Sequence, residues 1–175
     1  PKPMQQPHPP VYIASNSPET FPMVGALGHN ILVTPLIITS EGVQQGLDIY
    51  RQKLVEHGHD PAQVKIIPTL AACVAENRKK AEAILRPTIE NYLGVLRGGR
   101  SRGSGRAVTL TCEEFLKEYA IVGDPQECID QISRFKEMFD CQGIMFWHNV
   151  GGMLPNEELS RSMKLFADKV LPHFK

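Results

Sequence analysis

Four times along this chain a short apolar run leads into a segment whose apolar residues recur at helical spacing, and this repetition constrains the fold more than any other feature. In the first unit, residues 11–14 (VYIA) have the character of a short buried strand. Ser17, Pro18 and Glu19 then supply helix-start chemistry: a side chain able to cap, a ring suited to the first helical position, and a carboxylate suited to the positive end of the dipole. Phe21, Val24 and Leu27 follow at helical spacing before Gly28, a residue suited to ending the helix. The second unit pairs a strand at residues 30–35 with a helix from Ser40 that buries Val43, Leu47, Tyr50 and Leu54 and stops at Gly58. The third pairs residues 64–74 with a helix from Asn77 that carries Ala81, Ile84, Thr88 and Tyr92 on one side and is kinked at Pro87. An added helix follows, opened by the capping-box spacing of Asp124 and Glu127 and burying Ile129, Ile132, Phe135 and Phe139. The fourth unit pairs residues 143–147 with a helix from Asn156 that turns Leu159, Met163, Phe166 and Val170 inward.

Strands that look apolar on both faces and alternate with helices imply parallel pairing under right-handed crossovers, so the class is α/β. Four such units are half of the eight that close a TIM barrel, a fold of about 250 residues. Residues 1–175 are therefore expected to form a single half-barrel segment whose lining face must meet either the other half or a second copy of the chain. Residues 98–105 (GGRSRGSG) carry no apolar anchor and are expected to form a mobile loop. The first residue is not methionine, which leads to the expectation that other residues precede Pro1.

Composition removes several function classes. A chain that is 42% hydrophobic and 22% charged fits a soluble globular domain. Lysine plus arginine equal aspartate plus glutamate at 19 each, so no net field draws the chain to nucleic acid or an anionic membrane, and neither partner is expected. Cys73, Cys112, Cys128 and Cys141 form no C-x-x-C pair and read as thiols of a reducing compartment. No apolar run approaches the roughly 20 residues of a membrane span, and the proline-rich start lacks a signal-peptide core, so a cytoplasmic location is expected. His57-Gly58-His59 has no third ligand in view, and no metal is expected.

Three stretches resemble one known family: KPMQQPHPPVYIASNSPET (residues 2–20), VGDPQECIDQI (residues 122–132) and SMKLFADKVLPHF (residues 162–174). They resemble, in order, the mid-barrel strand with its following turn and the end of bacterial luciferase and related flavin-dependent monooxygenases. The resemblance implies the C-terminal half of a TIM barrel, with the N-terminal half as its complement. It also implies reduced FMN as cofactor, O2 as co-substrate, a flavin peroxide that oxygenates a small organic substrate, and a separate flavin reductase. On this reading the complete protein is an enzyme and the isolated fragment is expected to be inactive. Two alternatives share the fold: a non-catalytic flavin-binding or supporting subunit, and an F420-dependent hydride-transfer oxidoreductase.

The turn after the first strand holds the main candidate site. Ala14, Ser15, Asn16 and Ser17 set hydroxyl and amide groups at the carboxyl end of a strand, just before a helix N-terminus, where donors and partial positive charge converge. On the residues alone, simple capping by Ser17 and binding of an anion both stay open. The resemblance implies the flavin phosphate here, with Glu19 and Thr20 contributing backbone, although Ser15-Asn16 replaces the acidic and serine pair that the family pattern carries. Thr34 and Pro35 end the second strand and, by the same resemblance, approach the flavin ring; a strand-terminating turn is the alternative. Tyr92 aligns with an aromatic position beside the flavin, or else packs in the core. Trp147, His148 and Asn149 close the last strand, and His148, with a proton affinity suited to work near neutral pH, is the catalytic candidate; a strand-end side chain bonded to nearby backbone is the competing reading. Cys73 reads as packing.

Overall fold

The computed structural model describes residues 2–98 and 109–174. Its strands are β1 (Tyr12–Ala14), β2 (Asn30–Val33), β3 (Ile66–Val74), β4 (Ala120–Gly123) and β5 (Met145–Trp147). The α-helices are α1 (Thr20–Leu27), α2 (Ser40–Glu56), α3 (Arg78–Gly98), α4 (Cys112–Glu118), α5 (Pro125–Phe139) and α6 (Asn156–Lys169). Every strand pairing is parallel, as apolar runs separated by helices require. The four expected units are present as β1–α1, β2–α2, β3–α3 and β5–α6, with α5 as the added helix.

Backbone direction shows how β3 organises the sheet. The Lys65 amide donates toward β2, to Asn30 Oδ1 at 2.8 Å, whereas the next amide, Ile66, donates the other way to Gln142 Oε1 at 2.9 Å, on the segment leading into β5. The Ala71 amide points to the β2 side again, where it donates to the Tyr119 carbonyl ahead of β4. So β4 takes over from β2 along one edge of β3, and β5 runs along the opposite edge.

Alternation along the strands separates two faces. Ile31, Val33, Ile66, Leu70, Ala72 and Val74 enter one apolar cluster with α1, α2, α5 and α6. Ala71, Cys73 and Ala75 enter a second cluster with α3, α4 and β4. Tyr12, Met145 and Trp147 are each more than a third exposed on the lining face, which is the open wall that four units of a barrel must present.

The structure amends several expectations. β4 and α4 are additional to the four units. Thr111 and Glu114 cap α4 with a full capping box, a signal present in the sequence. The helix from Asn77 starts at Arg78, runs through Pro87 as one element, and centres its buried stripe on Leu85, Thr88 and Ile89, which leaves Ile84 and Tyr92 at its half-buried margin. Met163 is 48% exposed because the inward line of α6 runs through Ser162, Phe166 and Val170. Of the expected loop at residues 98–105, Gly98 ends α3 and the rest lies outside the described residues. All four cysteines are buried free thiols. Among the described residues no helix is long and apolar enough to cross a membrane.

The α5 start matches its sequence signature: Asp124 accepts from the Glu127 amide at 3.0 Å, and Glu127 Oε2 accepts from the Asp124 amide at 2.9 Å. Asp124→Ala removes one half of this exchange and is expected to lower stability by about 1 kcal/mol in urea unfolding. No shift of the midpoint would show that Glu127 and the Pro125 start suffice.

Candidate functional site

Two groups of side chains stand at the carboxyl ends of the strands. The first is the turn after β1. The Ser15 amide donates to the Leu32 carbonyl at 2.8 Å, extending the β1–β2 ladder by one residue and drawing Ser15 fully out of solvent. Its hydroxyl has no hydrogen-bond partner among the described residues. A buried hydroxyl left unpaired costs ~1–3 kcal/mol, so the position suits a ligand oxygen better than an empty apolar contact. Asn16 Oδ1 accepts from the Thr34 amide at 3.0 Å and so ties this turn to the end of β2.

The helix start differs in detail from the sequence reading. The Ser17 carbonyl accepts from the Thr20 amide at 3.0 Å and from the Thr20 hydroxyl at 2.8 Å. This closed turn delays α1 until Thr20 and puts Glu19 at the cap position with no side-chain cap bond. Ser17 therefore shapes the turn through its carbonyl, and its hydroxyl does not cap the helix. Pro22 in the first turn has no N–H, so fewer amide donors face the site than an ordinary helix start would supply.

The second group lies at the end of β5. Trp147 is 38% exposed on the lining face, and Tyr92 of α3 meets it edge-on with ring centroids 5.2 Å apart. α3 is held there by Asn91, which donates to the Gly151 carbonyl at 2.8 Å, while Asn149 Oδ1 accepts from the Leu154 amide at 3.1 Å and shapes the turn itself. Burial raises the Tyr92 pKa, which keeps the phenol protonated near neutral pH. The sequence presented Tyr92 and Trp147 separately; nothing in their spacing announced that they touch.

Strand alternation turns His148 the other way. Its ring lies 5.3 Å from Phe166 of α6 and 6.3 Å from Phe146, on the helix-covered side. Burial lowers its proton affinity, with a backbone hydrogen bond to Ala72 acting in the opposite sense. Cys73 is wholly buried, its pKa raised by that burial, and its Sγ accepts from Ser162 Oγ at 3.8 Å, a packing environment. His57 and His59 are each engaged with a backbone carbonyl, of Lys53 and Ala26, both at 3.0 Å. No group of three metal-ligating side chains occurs among the described residues.

Comparison with known proteins identifies what this arrangement is similar to. The family model described as luciferase-like monooxygenase matches residues 1–140. The alkanal monooxygenase alpha chain of Photobacterium leiognathi is 27% identical over 190 residues, which cover 95% of this chain and 52% of the relative. The oxygenase component of the flavin-dependent trigonelline monooxygenase of Acinetobacter baylyi is 24% identical, over 99% of this chain and 51% of the relative. Among solved structures, a monooxygenase from Streptomyces bottropensis superposes with a TM-score of 0.76 at 29% identity, covering 100% of this chain and 51% of that one. The chain thus spans about half the length of the relatives it matches.

Proposed function

This chain belongs to the luciferase-like monooxygenase family, and on that premise we propose that it forms one half of the barrel of a monooxygenase using reduced FMN and O2 to oxygenate a small organic molecule. The observation that carries the cofactor assignment is the Ser15 hydroxyl, buried and unpartnered where β1 gives way to α1. Ser15, Asn16 and Ser17, with the backbone at Ala14, Glu19 and Thr20, would hold the FMN phosphate, which adds the acceptor oxygens that this turn lacks. Thr34, joined to Asn16, extends the cradle toward the ring. Reduced flavin, when bound, supplies the electrons that activate dioxygen. The protein's task is to anchor the cofactor, order the substrate and keep water away.

The open lining face is the surface on which a complementary N-terminal half would close, and a separate reductase would deliver the reduced flavin. That one relative is named an oxygenase component supports such a division of labour. In the protein carrying both halves, changing Ser15, Asn16 and Ser17 together to alanine is expected to weaken reduced FMN at least tenfold, measured by anaerobic titration, because hydrogen bonds to a charged group contribute about 1.5–3 kcal/mol. Unchanged affinity would remove the β1 turn as the phosphate site.

A further inference from the structure

The lining face carries one feature that the cofactor cradle does not use. Trp147, the chain's only tryptophan, is left partly exposed at the end of β5, fixed edge-on by Tyr92. Its partner across the β3–β5 pairing is the small Ala71, and the lining residue before it, Met145, pairs with Thr69. The Tyr92 hydroxyl is half-buried and makes no hydrogen bond among the described residues. Cradle and corner lie at opposite edges of the β1–β2–β3–β5 array, separated laterally by three strand spacings, roughly 14 Å, and further offset along the strands.

We propose that Trp147 and Tyr92 form the substrate-recognition corner of this monooxygenase, selecting planar aromatic molecules that bear a carbonyl or hydroxyl oxygen: the ring packs against Trp147 and the oxygen accepts a hydrogen bond from Tyr92 Oη. This rests on the reading of the β1 turn as the phosphate cradle. A cofactor anchored at the far edge leaves the corner to the molecule on which it acts. An exposed indole offers a large, rigid apolar surface at little entropic cost, and a protonated phenol beside it can donate to an acceptor oxygen. An aliphatic ketone can gain the hydrogen bond but not the packing against the indole.

The probe is 1-tetralone, an aryl ketone, with 2-decanone as its aliphatic counterpart and tetralin as the aryl ring without oxygen, titrated into the protein carrying both halves. 1-Tetralone is expected to quench the emission that disappears in Trp147→Phe, whereas 2-decanone leaves it unchanged. Trp147→Leu should weaken 1-tetralone about tenfold. Tyr92→Phe should weaken it about fivefold and leave tetralin as before. FMN affinity should stay within about twofold in both variants. Absence of quenching in the unmodified protein overturns the proposal, and so does loss of FMN rather than 1-tetralone affinity in Trp147→Leu, which would assign the corner to the cofactor. If FMN affinity survives the triple alanine change while 1-tetralone still quenches Trp147, the cradle reading fails and the corner stands.

Discussion

Gly151→Ala is expected to lower the unfolding free energy by about 3 kcal/mol, far more than the same change one residue later. Gly151 has φ 76°, a conformation that costs an L side chain ~1 kcal/mol or more, and a methyl group there would overlap the Thr88 carbonyl oxygen of α3. Gly152 has nearly the same backbone, φ 72°, with nothing within 4 Å of the added carbon, so Gly152→Ala isolates the conformational cost alone. Urea unfolding of the two variants separates strain from collision, and equal losses would mean that the approach of α3 to this turn is not tight. Because Asn91 bonds to the Gly151 carbonyl one residue before Tyr92, the collision should also displace the aromatic corner. 1-Tetralone affinity should therefore fall in Gly151→Ala and hold in Gly152→Ala.

The second large effect belongs to Gly25, where α1 crosses α2. A Cβ at this position would stand 2.5 Å from the Tyr50 carbonyl oxygen and 2.9 Å from Lys53 Cβ, and backbone cannot swing aside as a side-chain tip can. Gly25→Ala should cost about 2–3 kcal/mol despite alanine's better helix propensity. Gly94 in α3 is the control, since nothing lies within 4 Å of it and Gly94→Ala should gain about 0.5–1 kcal/mol. A neutral Gly25→Ala would mean that the two helices separate freely. If they do separate, α1 carries the Ser15 turn with it, so reduced FMN affinity should drop in this variant although no proposed ligand has changed.

The amount legible in the sequence followed how local each signal was. Val43, Leu47, Tyr50 and Leu54 are wholly buried along α2 as their spacing indicates, and the Asp124 capping box opens α5 where it was read. These depend on neighbours within one or two turns. β4 escaped because four apolar residues between two helices carry no period of their own, and their pairing depends on β3, some fifty positions earlier. The start of α1 was misplaced because a Ser17–Thr20 backbone bond competes with capping, and side-chain preference alone does not reveal which prevails. Within the candidate site, the proposed cradle is a run of consecutive residues that local sequence can single out, whereas the contact of Tyr92 with Trp147 depends on the long-range approach of α3 to β5. The opposite aspects of Trp147 and His148 were, in retrospect, available from the two-residue repeat of a strand.

Alternate residues of β3 feed the two apolar clusters in turn, so this strand is a party wall between the outer helices and the cover formed by α3 and α4. Neither room can be rebuilt without disturbing plaster in the other: a change at Ala71 or Cys73 meant to reshape the mouth reaches the α5 and α6 packing through their strand neighbours Leu70, Ala72 and Val74. Adjusting selectivity from β5 or α3 therefore leaves the framework quieter than adjusting it from β3.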